Sequence, residues 1–142
     1  MKKTSQSVCT LLIGLACVLG MSASAHAASD YGKKYHGCKN YVKVWRSGGK
    51  IYAYAKQTCN KRVLAVKPTV ALSANGGKFG FVTAGKACKF AKTCKTKKVS
   101  LKAKKGRIYR ASNSGTATTG RPRDDEAFWP KRTVAHATYR AK

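Results

Sequence analysis

His36 and His136 are the side chains best suited to move a proton in this sequence. Two imidazoles among lysines can act as general base and general acid on a phosphodiester, which would be ribonuclease chemistry. No motif surrounds either one: His36 lies in a polar stretch and His136 in an alanine-rich run. Asp124, Asp125 and Glu126 in "RPRDDEAFWP" are three of the four acids in the chain. Such a group could supply a carboxylate pair, but adjacent loop acids rarely converge on one geometry. Arg121, Arg123, Lys131 and Arg132 flank them, so the stretch reads as a charge-balanced loop pinned by Phe128 and Trp129. There is no P-loop, nucleophile elbow, HExxH or calcium loop. The expectation is therefore a protein that binds rather than catalyses, with no cofactor.

Cysteine is the next chemically capable residue. Lys2 and Lys3, an apolar run from Val8 to Met21 and the small-x-small triplet Ala25-His26-Ala27 read as a secretory signal over residues 1–27. The apolar run is too short, with the wrong flanks, to span a membrane. Cleavage would remove Cys9 and Cys17, and leave Cys38, Cys59, Cys88 and Cys94 in a secreted chain with no transmembrane segment. Four cysteines in an exported domain of this size imply two disulfides. Zinc would need ligand spacing that is missing, since no CxxC pair occurs.

Charge narrows the class of partner. The chain carries 30 Lys+Arg against 4 Asp+Glu, a net charge of +26. Of the basic residues 22 are lysine, a compact point charge poorly suited to forked, base-specific reading. Diffuse docking on a polyanion or an acidic surface follows. The densest run is "KACKFAKTCKTKKVSLKAKKGR", residues 86–107. It holds Lys86, Lys89, Lys92, Lys95, Lys97, Lys98, Lys102, Lys104, Lys105 and Arg107. A Cys88–Cys94 bridge would staple a tight loop within it, pre-ordered for docking.

Period-two runs separated by turn residues must position these groups. They cover residues 41–46, 51–59, 63–72, 79–84, 97–103, 107–112 and 131–140. Seven short strands with Gly-rich turns predict an all-β, Ig-like antiparallel sandwich over residues 38–142, after a basic extended leader at 28–37. If Gly48-Gly49 closes a two-residue hairpin, paired positions sum to 97, and Cys38 then faces Cys59. Opposed residues in a non-hydrogen-bonded pair come within disulfide reach.

That register sorts the faces. Cys38, Val42, Val44, Ile51, Ala53, Ala55 and Cys59 share the core side, and Tyr41, Lys43, Trp45, Tyr52, Tyr54 and Lys56 share the other. Leu64, Val66, Val70, Leu72, Phe79, Phe81, Val99 and Leu101 are available for a facing apolar layer. Pro68 places the third run at an edge or a bulge. The aromatic face reads in two ways: a stacking platform for ligand rings with lysines tracking anionic groups, or cross-strand rings that stabilise the sheet beneath a cover.

The cysteine rhythm, the hairpin "SGGKIYAYAKQTC" and the strand "GRIYRASNSGTA" resemble small secreted β-sandwich proteins of filamentous actinobacteria. One such group is the adaptor subunit of umbrella toxin particles, which links a lectin-bearing subunit to a polymorphic-toxin scaffold. The resemblance covers roughly Cys38 to Ala141. It implies a non-enzymatic adaptor of a secreted antibacterial complex, with an extended N-terminal segment inserted into one partner and no residue-level site. The expected partner is an acidic protein or an anionic polymer (cell-wall polymer, nucleic acid or anionic lipid). A cationic antimicrobial or inhibitory protein is the second reading, and a ribonuclease using His36 and His136 the third.

Overall fold

The computed structural model describes residues 27–120 and 129–142. Within them, ten antiparallel strands form the two sheets of a β-sandwich. They are β1 (Ala27–Tyr31), β2 (Cys38–Ser47), β3 (Lys50–Lys67), β4 (Thr69–Ala74), β5 (Phe81–Gly85), β6 (Cys88–Lys95), β7 (Val99–Lys102), β8 (Ile108–Asn113), β9 (Thr116–Thr118) and β10 (Ala135–Arg140). The larger sheet runs β1-β2-β3-β6, with β7 and β9 also paired to the long β3. The smaller runs β10-β8-β4-β5. Residues 1–26, nearly all of the expected signal segment, and the acidic stretch with Asp124, Asp125, Glu126 and Phe128 lie outside the described residues.

The hairpin register is the one its turn dictates. Ser47 pairs with Lys50, Trp45 with Tyr52, and Cys38 with Cys59, which are disulfide-bonded with Cα atoms 3.8 Å apart. Gly48 has φ 55°, the left-handed conformation a two-residue hairpin requires. The alternation of β2 and β3 then drives Val42, Val44, Ile51, Ala53 and Ala55 into the core, where Val70, Leu72, Tyr109, Ala111 and Ala137 of the smaller sheet meet them.

Several expectations need correction. The stretch at 28–37 is extended but joined to the sandwich, and its strand starts one residue before the expected boundary at 27: Ala27–Tyr31 pairs with β2 along its length, and Ala28 packs against the core. The run at 63–72 is two strands, because Pro68 has no N–H for a ladder. It is buried where the chain passes from β3 to β4 and so changes sheet. The run at 131–140 is a strand only from Ala135, after a single 3-10 turn at Lys131–Thr133.

The segment expected as a cysteine loop is β6, paired to β3 on both sides of a register shift between Thr58 and Val63. Cys88 and Cys94 are bridged with Cα atoms 5.8 Å apart, whereas six residues of straight strand would span about 20 Å. The ribbon must therefore curl, and its middle residues arch outward.

The facing apolar layer also differs. Val66, Val70, Leu72 and Val99 are buried, but Leu64, Phe79 and Phe81 are 49, 46 and 62% exposed. Tyr109 takes the central place, fully buried, its hydroxyl donating to the Lys102 carbonyl and accepting from the Lys104 amide. A phenol at that depth satisfies its polar tip and contributes a large apolar body.

A polar clamp joins the sheets. Buried Asn113 on β8 donates through Nδ2 to the carbonyls of Tyr41 and Lys56, both at 3.0 Å. Its Oδ1 accepts from the amides of Thr69 and Gly115 at 3.1 and 2.9 Å. Gly115 has no room for a side chain, since a Cβ there would sit 2.7 Å from the Pro68 Cα. Asn113→Ala leaves the Thr69 and Gly115 amides without this acceptor and removes a donor from two carbonyls, so it should cost about 3 kcal/mol. Leu64→Ala, at an exposed site, should cost less than about 0.5 kcal/mol. Urea unfolding of both variants checks this, and an Asn113→Ala loss below about 1 kcal/mol would show that the clamp does not hold the sheets together.

Candidate anion-binding face

The outer face of the larger sheet follows from the same register. With Val42, Val44, Ile51, Ala53 and Ala55 inward, Tyr41, Lys43, Trp45, Lys50, Tyr52, Tyr54 and Lys56 must point out. The smaller sheet packs on the opposite side, and among the described residues nothing covers this face, so Tyr41, Trp45, Tyr52 and Tyr54 are left half-buried. Pairing with β1 adds Tyr31 beside Tyr41.

Five rings form a continuous row. Centroids lie 4.8 Å apart for Tyr31–Tyr41, 6.0 Å for Tyr41–Tyr54, 5.8 Å for Tyr54–Trp45 and 5.7 Å for Trp45–Tyr52. Burial, followed by the neighbouring Tyr41 phenol, raises the Tyr54 pKa above its ordinary 10.0.

Lysines lie over this row. Lys39 Nζ stands 4.5 Å from the Tyr31 centroid, Lys56 5.5 Å from Tyr41, Lys95 4.1 Å from Tyr54 and Lys98 5.7 Å from Tyr52. An ammonium over an aromatic face is held by the ring quadrupole, at about 0.5–1 kcal/mol for exposed sites. The rings thus serve less as bare stacking plates than as seats that fix the positions of four charges.

Among the described residues, no carboxylate neutralises the charges on this face. Lys56 pairs directly with Lys95 across β3 and β6, and Lys50 with Lys102 across β3 and β7. Like charges directly opposed destabilise a sheet. Asp30 is the one acid among the described residues, and it pairs with inward-facing Val42, so it belongs to the other side of β1. Two depressions mark the surface. A groove of about 350 Å³ is lined by Tyr31, Lys34, Lys39, Tyr41 and Lys56, with Thr58 and Asn60 at its end. A smaller one of about 190 Å³ lies among Ala27, Lys43, Trp45 and Tyr54.

The basic run at 86–107 is spread over several elements, and only Lys89 and Lys92 lie within the Cys88–Cys94 bridge. Lys95, Lys98 and Lys102 join the aromatic face, and Lys97 is exposed beside them. Lys89 and Lys92 ride on the curled part of β6, with Lys86 just before it. Lys104 and Lys105 stand in the turn after β7, at the other end of β3 near Gly49. Arg107 is turned away onto the Phe79 ring, 4.0 Å from its centroid. Sequence reasoning missed Lys34 and Lys39, because their part in the site depends on β1 folding back beside Tyr41.

The two histidines are placed apart. His36 packs against Tyr35 and Trp129, with centroids at 4.1 and 6.4 Å. His136 lines a shallow depression with Arg110, Phe81 and Ser112 on the outer face of the smaller sheet.

If the rings seat the lysines, the Lys95 ε-methylene protons should carry an upfield ring-current shift in the NMR spectrum. That shift should persist in Tyr54→Phe and vanish in Tyr54→Leu. The leucine variant should also be about 0.5–1 kcal/mol less stable than the phenylalanine variant. Equal Lys95 shifts in the two variants would show that the ammonium does not rest on the ring.

No protein-family model matches the chain, and neither does any curated protein or solved structure.

Proposed function

We propose that this chain is an exported, non-enzymatic binding protein that docks on an acidic partner protein or an anionic polymer through the outer face of its larger sheet. The observation that carries the proposal is the pair of lysine–lysine oppositions on that face, Lys56 with Lys95 and Lys50 with Lys102. A folded protein that keeps like charges opposed, with no carboxylate beside them among the described residues, is relieved when an external anion arrives between them. The cation–π seats reduce the side-chain freedom that docking would otherwise remove, so less entropy is lost on binding. Tyr31 and Tyr41 supply apolar walls for the groove in which Lys34, Lys39 and Lys56 converge.

Two disulfides fit an exported protein. No helix among the described residues is long and apolar enough to cross a membrane. Within a secreted toxin assembly, the resemblance to umbrella-particle adaptors makes this face the seat of an acidic subunit, with the chain as adaptor. The cationic antimicrobial reading is favoured by a separate observation, the exposed Leu64 and Phe90 on the curled ribbon. The ribonuclease reading has weaker support, because His36 and His136 belong to different surfaces.

The test separates geometry from bulk charge. Lys39, Lys56, Lys95 and Lys98 are changed together to Gln in one variant. Lys104, Lys105, Lys131 and Lys142 are changed in another, which removes the same charge elsewhere. Affinity for soluble polyphosphate and for polyglutamate is measured from about 50 to about 500 mM salt, a range over which electrostatic docking falls steeply. The first variant should weaken binding strongly and lower the slope of log K against log salt by roughly three. The second should change either quantity far less. Equal losses in both variants would reduce the interaction to net charge and sink the proposed face.

A further inference from the structure

The β3–β6 ribbon carries a second surface, at its curl. The pairs Val63↔Ala91 and Ala65↔Lys89 bracket Leu64 and Phe90, which places those two residues at facing positions of the ribbon. Val63, Val66 and Cys94 turn inward with the second apolar cluster, so Leu64 and Phe90 are left on the outside, 49 and 67% exposed. Lys61, Arg62, Lys89 and Lys92 stand within three residues of them along the two strands, all exposed.

The arch is held in shape. The Cys88–Cys94 bridge closes its base, and Arg62 Nη1 donates to the Phe90 carbonyl at 3.5 Å. Phe90 sits at φ 48°, a conformation bulky residues adopt only where the surroundings over-determine it. An exposed phenylalanine kept in that state is being presented rather than merely tolerated.

We propose that this tip is an interfacial anchor that inserts Leu64 and Phe90 into the headgroup–acyl boundary of a bilayer rich in anionic lipid. The chemistry is that of a membrane-surface segment: apolar side chains enter the boundary while the flanking cations reach lipid phosphates. The apolar pair lies on a curled ribbon and has exposed cations close by in both of its strands, Lys61 and Arg62 in one and Lys89 and Lys92 in the other. A protein partner would need a pocket shaped to receive it, whereas a lipid surface yields around it. The cations also supply charge complementarity to anionic headgroups, worth a cumulative gain near the surface. The anchor is independent of the aromatic face, since its apolar residues lie outside the ring row.

Vesicle co-sedimentation of the full chain tests it, with vesicles of equal phosphatidylglycerol and phosphatidylcholine, and phosphatidylcholine alone as reference. The double variant Leu64→Ala plus Phe90→Ala should bind the anionic vesicles at least about tenfold more weakly than the parent. Its melting temperature and its affinity for soluble polyphosphate should be unchanged. Because the two chains share every other residue, the difference isolates the tip. A Phe90→Trp variant should show an added blue shift of emission on the anionic vesicles and none on polyphosphate. The inference is overturned if the double variant binds the vesicles as the parent does, or if the emission of the Phe90→Trp variant does not shift. It is also overturned if the double variant loses polyglutamate or polyphosphate binding instead, which would assign the tip to soluble anions. The aromatic-face proposal can fail in its own lysine series without altering any of these outcomes.

Discussion

Asn113 is the constraint on which the remainder of the sandwich depends. A buried amide has two donors and two acceptor positions to satisfy, and here all are used across the two sheets. The acceptors of its NH2 group are the carbonyls of Tyr41 and Lys56, a cross-strand pair on the aromatic face. The same amide that ties β8 to β2 and β3 therefore steadies the backbone under the centre of the proposed site. Gly115 lets the chain pass close enough for this, against Pro68 and the Lys67 carbonyl. A core composed largely of valine and alanine offers limited apolar area, so a saturated polar clamp and two disulfides carry a larger share of specificity than in a leucine-rich sandwich.

Charge places an opposite demand on the fold. A net charge of +26 favours expansion of any compact state through self-repulsion. The larger sheet concentrates that repulsion where Lys56 meets Lys95 and Lys50 meets Lys102. Aromatic seats offset part of the cost, because a ring face attracts an ammonium without neutralising it. The charge stays in a fixed position over an apolar floor, where the proposed anion would meet it. On that proposal, stability and binding are opposed on the same strands, and the rings mediate between them.

The long β3 explains how one small domain carries two such surfaces. Its first half pairs with β2 and β7 and carries the aromatic face; its second half curls with β6 and then pairs with β9. The register shift between Thr58 and Val63 is where the strand leaves the flat sheet. Such irregularities bend a strand and re-aim its side chains. Here the change turns Leu64 outward while Val63 and Val66 stay with the second core cluster.

What the sequence by itself determined was local and periodic. Two glycines in a hairpin leave few registers, so the Cys38–Cys59 pairing and the two faces of β2 and β3 could be read from alternation and one sum. The Cys88–Cys94 bridge was legible as well, since those were the two cysteines left once Cys38 and Cys59 were paired. Tertiary structure decided everything that depends on which surface meets which. Alternation places Leu64, Phe79 and Phe81 on a side of their strands but does not say whether that side is covered, and the curl, the Arg107 contact and the sheet edge left them exposed. The role of Asn113 arises from carbonyls more than 50 residues away in the chain, and no local pattern marks such a partner. The seating of Lys39, Lys95 and Lys98 over rings of other strands has the same origin. Side-chain contacts across a sheet are set by strand order, and strand order is a property of the folded whole.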